Sequence, residues 1–461
     1  MTHLICALLV TLTLGQPDMP AAAVASTIDG RPDDRTASPI QRLVDAAAAG
    51  ATVDVPPGRY VGDVIVDRPL RLVGHGRPLL VGSGSGSVVR VRAADVTIES
   101  FDIDGRGGGD LGRDSSGIHV AAPRATIRDC HVINTLFGVY LREADGAAID
   151  GVVIRGIPGK DAGEKGSGIH VWNTNRFHLT GNDIADVRDG FYIQSSSHGT
   201  IAGNRARDLR YGLHYMFSDD NEFDDNLFEN GAAGAAMMYS RRIAFRRNRF
   251  LHNRGFASVG LLLKTCDDVV AEHNLIADNA RGVFLEGSYR NRFEHNVIAE
   301  SDSAIVLYDS AGQNVFAGNS FVANLTPLSL VGRRTDTLFD GNYWSDHDEP
   351  DLDGDGRSDR PYRLSSLFDH LRSNLTAADL FTQGFAATAL GAAERAFPVL
   401  DPVPVEDRAP LARPPALDQV PRASDMRRRA NTAGLMTSVL ALAIGVAALA
   451  QPARVSRRGR R

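Results

Sequence analysis

The chain has 461 residues, 43% hydrophobic and 23% charged, which is enough apolar material for a large core and excludes a chain disordered throughout. Its formal net charge of −6 argues against nucleic acid as a partner, because neutralising phosphates takes a clustered excess of Lys and Arg. The charge is uneven: from Arg422 onward there are nine Arg against Asp425 alone, and the first 421 residues hold 41 basic against 55 acidic side chains, net −14.

In chain order, the apolar run Leu4 to Leu14 is too short to span a bilayer and leads to Ala23-Val24-Ala25. This predicts an export signal over residues 1–25. Between residues 50 and 345 two series share one period. Asn182, Asn204, Asn226, Asn248, Asn274, Asn296, Asn319 and Asn342 lie 22, 22, 22, 26, 22, 23 and 23 residues apart. A Gly-led strand pattern keeps step with them, as in Gly168-Ile169-His170-Val171, Gly190-Phe191-Tyr192-Ile193 and Gly212-Leu213-His214-Tyr215.

Such a period, with short alternating strands and few helical segments, predicts an all-β, right-handed parallel β-helix of about 12 coils. The Asn column suits a tight corner at which side-chain amides hydrogen-bond along the stack. Insertions around Lys160–Lys165 and Gly255 predict loops beside one face.

The acidic run from Asp351 to Asp359 opens a segment 346–397 whose apolar spacing, at Leu367, Phe368, Leu371, Leu380, Phe381 and Phe385, predicts a helical cap. Residues 398–431 begin with seven Pro in 24 and read as an extended linker. Thr432 to Ala450 carries no charge and is long enough to cross a membrane as a helix. The Arg-rich tail 451–461 would then lie on the cytoplasmic side and the rod in the periplasm.

Chemistry is sought on the outward face. If the residue after each repeat Gly points inward, the second and fourth after it point out. The second positions then hold His119, Tyr140, His170, Tyr192, His214, Ala236, Leu262 and Phe284. The fourth hold Trp172, Gln194, Met216, Met238 and Lys264. Such a stripe implies a covered surface, with His170, Trp172, Tyr192 and Phe284 as partner-binding candidates. Within it His214, Met216 and Met238 offer one imidazole and two thioethers, the soft donors that suit Cu(I). Packing under a neighbouring loop or subunit would account for the same Met residues. Met237, by parity, belongs to the core.

Asp351, Asp353, Asp355 and Asp359, with Gly356 at the sixth position, resemble the start of a calcium loop, although Tyr362 stands where an EF-hand has its bidentate Glu. A solvated acidic turn is the competing account. Cys130 and Cys266 lie far apart with no metal-binding spacing. No carboxylate pair emerges on the outward columns, so a non-enzymatic role is expected.

The stretches Tyr211-Gly212-Leu213-His214-Tyr215-Met216-Phe217-Ser218 and Met237-Met238-Tyr239-Ser240-Arg241-Arg242, with Gly341-Asn342-Tyr343-Trp344-Ser345-Asp346, resemble the NosD family of periplasmic proteins that mature nitrous oxide reductase. The likeness runs from about residue 51 to residue 400. It implies a non-enzymatic partner of an ABC transporter built from the ATPase NosF and the membrane subunit NosY. In that family copper is supplied by the lipoprotein NosL and ends in the reductase, and the C-terminal span is a departure from its pattern. Two other functions compete: a secreted polysaccharide lyase, hydrolase or epimerase, and a glycan-binding rod.

Overall fold

Runs of three to six β-branched and aromatic residues alternate in and out between corners of Gly, Asn and Asp, and each run pairs with its counterpart one repeat later. The computed structural model describes residues 38–108, 115–332, 334–364 and 405–415. Its strands form three sheets of 15, 13 and 12 strands, parallel except where Tyr362–Arg363 pairs with Glu406–Asp407, and along the coils every third strand in sequence is hydrogen-bonded to the next. One coil shows the plan: His178–Thr180 lies in the first sheet, Asp183–Ala185 in the second and Asp189–Gln194 in the third. The second sheet counts thirteen turns, one more than the repeat predicts, because the early coils have no Asn to mark them.

The Asn corner separates the first sheet from the second. Each Asn from Asn182 to Asn319 donates its side-chain amide to the Oδ1 of the next, at 2.8–3.1 Å, and takes that same oxygen on its own backbone N–H. The residue before each Asn is left-handed, among them Gly181 and Gly203 but also Asp225 and His273. That conformation lets a two-residue corner turn the chain. Phe columns stack along the interior, for example Phe293 on Phe316 at 4.5 Å and Phe316 on Phe339 at 5.3 Å.

Both ends of the described rod are covered; the N-terminal cover was not anticipated, and the far one is built in part by residues placed in the linker. At the N-terminal end the helix Pro39–Ala46 buries Ile40 and Val44 against the first coil. Its Gln41 pairs with the open edge of residue 65, accepting from the Ile65 N–H at 2.7 Å and donating to the Ile65 carbonyl at 3.1 Å. At the far end, residues 405–415 do not run on as part of a free linker: Glu406–Asp407 adds a strand beside Leu338–Asp340. The reason is Asp407, whose carboxylate is fully buried and ends the Asn ladder. It accepts from Asn342 Nδ2 and N at 2.9 Å each, from Gly341 N at 3.1 Å and from Trp344 Nε1 at 3.2 Å.

The predicted signal, the helical segment of the cap and the apolar C-terminal span lie outside the described residues. No helix among the described residues is long and apolar enough to cross a membrane.

Candidate functional site

The parity expected along the third sheet holds. Ile169, Phe191, Leu213, Ala235, Met237 and Leu261 are fully buried in the core, and the alternate residues form an outer layer. In that layer His119, Tyr140, His170, Tyr192 and His214 stack ring on ring across five consecutive coils, with centroids 5.1, 4.4, 4.5 and 4.7 Å apart. The column is largely self-covering. Tyr140 is only 7% exposed, and burial pushes His119 down to about 4 and His170 down to about 3. At neutral pH both rings are uncharged.

Of the partner-binding candidates, His170, Trp172 and Tyr192 lie on two adjacent rungs and Phe284 four rungs beyond Tyr192. His170 and Tyr192 belong to the ring column, and the Tyr192 hydroxyl donates to Gln194. Trp172 lies under the Arg142 guanidinium, 5.1 Å from its centroid. Phe284 faces outward but is 8% exposed, packed with Ala236 and Val306 in a small apolar cluster that Met238, Leu262 and Tyr308 border. Large side chains on neighbouring rungs, about 4.8 Å apart, bury one another even on an outward face.

The three candidate copper ligands share one outward face on adjacent rungs. His214 and Met216 lie two residues apart on the strand Tyr211–Met216, and Met216 is in direct register with Met238 on the strand Ala233–Arg241. All three are partly exposed. At the corner just beyond, Phe217 and Tyr239 stack in the open at 5.1 Å, 53% and 41% exposed. The two coils with the Met pair thus also carry a stacked pair of exposed aromatic corners.

Behind His214 lies a group missed from the sequence. Asp189, fully buried at the start of Asp189–Gln194, is held on both oxygens by Arg210, at 2.8 and 2.6 Å. His214 Nδ1 lies 3.3 Å from Asp189 Oδ2 and 3.4 Å from Arg210 Nη2. Burial raises the Asp189 carboxyl, but the bonds from His214 and Arg210 outweigh it and hold the group below its ordinary range. In the tautomer protonated at Nδ1, His214 donates to the Asp189 carboxylate and turns Nε2 outward, the way carboxylates commonly orient metal-binding imidazoles. One signal was available in the sequence. The position before the repeat Gly is Ser116, Phe137, Ser167, Tyr211, Ala233, Val259 or Arg281 in other coils, and Asp189 is the one acid among them.

Both insertions enter the third sheet from the same corner. The loop with the short helix Ala162–Glu164 precedes Ser167–Trp172, and the loop with Phe256, 95% exposed, precedes Val259–Asp267. They flank the strands that carry His214, Met216 and Met238.

At the C-terminal end Asp351, Asp353 and Asp355 gather their carboxylates within 4.8 Å of one another. Asp359 is not in that group, and its Oδ2 takes the Leu352 N–H at 2.6 Å, so it closes the loop. The two remaining cysteines are buried and free, and burial pushes both thiols up to about 12, which removes thiolate chemistry at neutral pH. Asp219 and Asp220, adjacent acids after Met216, are taken up by Arg241 and Arg242.

Comparison with known proteins bears on this face. Residues 147–349 match the family model described as "Periplasmic copper-binding protein (NosD)". The chain is 30% identical over 408 residues to a "Probable ABC transporter binding protein NosD" of Pseudomonas aeruginosa, covering 84% of this chain and 94% of that one. It is 29% identical over 381 residues to the protein of the same description from Stutzerimonas stutzeri, covering 78% and 86%. Among solved structures it is similar to the A-module of the Azotobacter vinelandii mannuronan C-5 epimerase AlgE6, with TM-score 0.53 and 17% identity over 65% of this chain and 94% of that one. That likeness is one of fold.

Proposed function

The chain belongs to the NosD family, and from that premise we propose that it is a periplasmic, non-enzymatic scaffold that receives Cu(I) on the outer face of its third sheet and works with an ABC transporter. One observation carries the proposal: His214, Met216 and Met238 lie on the same outward face of two adjacent rungs, with His214 Nδ1 beside a buried carboxylate. Copper is cargo here. Two thioethers and one imidazole hold a soft monovalent ion without burying an uncompensated anion, which suits a site that must also release it.

In this reading the metal comes from the lipoprotein NosL and serves the copper sites of nitrous oxide reductase, NosF and NosY form the transporter, and the apolar segment 432–450 anchors the rod. The exposed Phe217 and Tyr239 beside the Met pair support a docking role for the same face, since aromatic and Met side chains are enriched where proteins meet. The acidic loop at Asp351, Asp353 and Asp355 would take a structural calcium ion.

The test is a Cu(I) titration of the purified protein under anaerobic, reducing conditions. Replacing His214, Met216 and Met238 together with Ala is expected to abolish tight binding, while M237L, a conservative change in the core, is expected to leave it intact. An unchanged affinity in the triple variant would refute the site.

A second reading has its own observation. Arg210, His214 and Tyr192 bring a guanidinium, an imidazole and a phenol together on the outward sheet of a β-helix, over the buried Asp189 carboxylate, a set able to bind an acidic glycan. Epimerisation or cleavage of polyuronate by the purified protein would establish it over the copper role.

A further inference from the structure

Oδ2 of Asp189 and Nδ1 of His214 are 3.3 Å apart. Two ligands of one tetrahedral Zn²⁺, each about 2.0–2.1 Å from the ion, are separated by about the same distance. A buried carboxylate and an imidazole so placed are therefore half of a divalent metal site, on the opposite side of the ring from Nε2. What stands there is Arg210: its Nη2 is 2.6 Å from Asp189 Oδ2 and 3.4 Å from His214 Nδ1. Its Nε binds the other carboxylate oxygen at 2.8 Å, and the guanidinium is held 4.4 Å over the Tyr211 ring. Arg188 approaches Oδ2 at 3.5 Å through an Nε that makes no hydrogen bond.

We propose that Arg210 is a specificity-determining residue: by filling the space between Asp189 and His214 it denies divalent ions a carboxylate–imidazole site and leaves the imidazole open at Nε2, toward soft monovalent ions. The inference rests on the copper reading for the identity of the preferred ion, but the exclusion of divalent ions stands on the geometry of Asp189, Arg210 and His214. The fork geometry matters. Arg engages both carboxylate oxygens at once, whereas Lys, a single ammonium, holds one.

The experiment compares Cu(I) and Zn(II) affinities of the full chain, by competition with a chromophoric chelator for each ion, in wild type, R210K and D189N/R210K. R210K keeps a positive charge against the buried carboxylate. It is expected to raise Zn(II) affinity relative to Cu(I) by about tenfold or more, the size of effect typical of groups that support a metal ligand. D189N/R210K is expected to lose that gain. An unchanged ratio in folded R210K, or a gain that survives D189N, would overturn the assignment.

Should R210K not fold, the wild type supplies the test through the imidazole ¹⁵N resonances of His214 with Ag(I), a redox-inert probe for Cu(I). Ag(I) is expected to shift Nε2 and spare Nδ1, and Zn(II) to shift neither. Binding of either ion at Nδ1 would be fatal to the proposal. A wild type that binds no Cu(I) would overturn the copper reading, while a Zn(II) gain in R210K would still uphold Arg210 as the barrier.

Discussion

His119 and His170 show how a repeat can hold ionisable side chains in the neutral form. His170 is sandwiched between the Tyr140 and Tyr192 rings and His119 lies between the Tyr140 ring and the Arg90 rung, and burial is the main cause of each low pKa; Arg142, Arg90 and Arg92 add to it at His119 and Arg188 at His170. An imidazole in the unfolded chain takes a proton below about pH 6.5. In the rod the two rings resist until about 4 and about 3. Their contribution to stability is therefore complete above about pH 6.5 and is lost as pH falls from there toward 4. The slope is at most about 1.4 kcal/mol per pH unit for each ring. Denaturant unfolding at pH 7.5 and pH 5 is expected to show a loss that is smaller in H119Q/H170Q; an equal loss in both proteins would exclude these rings as the cause.

At the scale of the element, the Asn ladder is the strongest local constraint. The Asn226 amide donates to the Ile201 carbonyl and to Asn248, and its Oδ1 accepts two bonds from Asn204. Asn226→Ala strips all four at a fully buried corner, where an unmade bond costs about 1–3 kcal/mol. A fall of a few kcal/mol in unfolding free energy is expected, well above that for an exposed corner such as Ser195→Ala. Indistinguishable values would mean that the corner is held by the strands alone.

For the molecule as a whole, a solenoid is stable only where each coil has a neighbour, so the ends decide where unfolding starts. The two covers differ in kind: an amphipathic helix shields apolar side chains at Pro39–Ala46, and a carboxylate terminates a polar ladder at Asp407. Hydrogen exchange of Asp407→Ala is expected to accelerate in the strands Leu338–Asp340 and Tyr343–Trp344 and to leave the central coils around Asn226 unchanged. Uniform acceleration would argue for global rather than end-initiated opening, and no acceleration for a redundant cap.

The period of the repeat determined the coil, the Asn column and the inward and outward parity without coordinates, because side-chain direction in a strand follows from position alone. It also put His214, Met216 and Met238 on neighbouring rungs. The tertiary structure decided what lies at any distance from a rung. Asp407 reaches Asn342 across 65 residues, and Asp189 and Arg210 meet His214 through bonds between coils. Tyr140 and Phe284, outward by parity, are closed off by their neighbours, Tyr140 by the His119 and His170 rings on the rungs either side and Phe284 by Leu262, Val306 and Tyr308. Periodicity encodes direction, but partnership and burial depend on side-chain size and reach, and these are settled only when the coils stack.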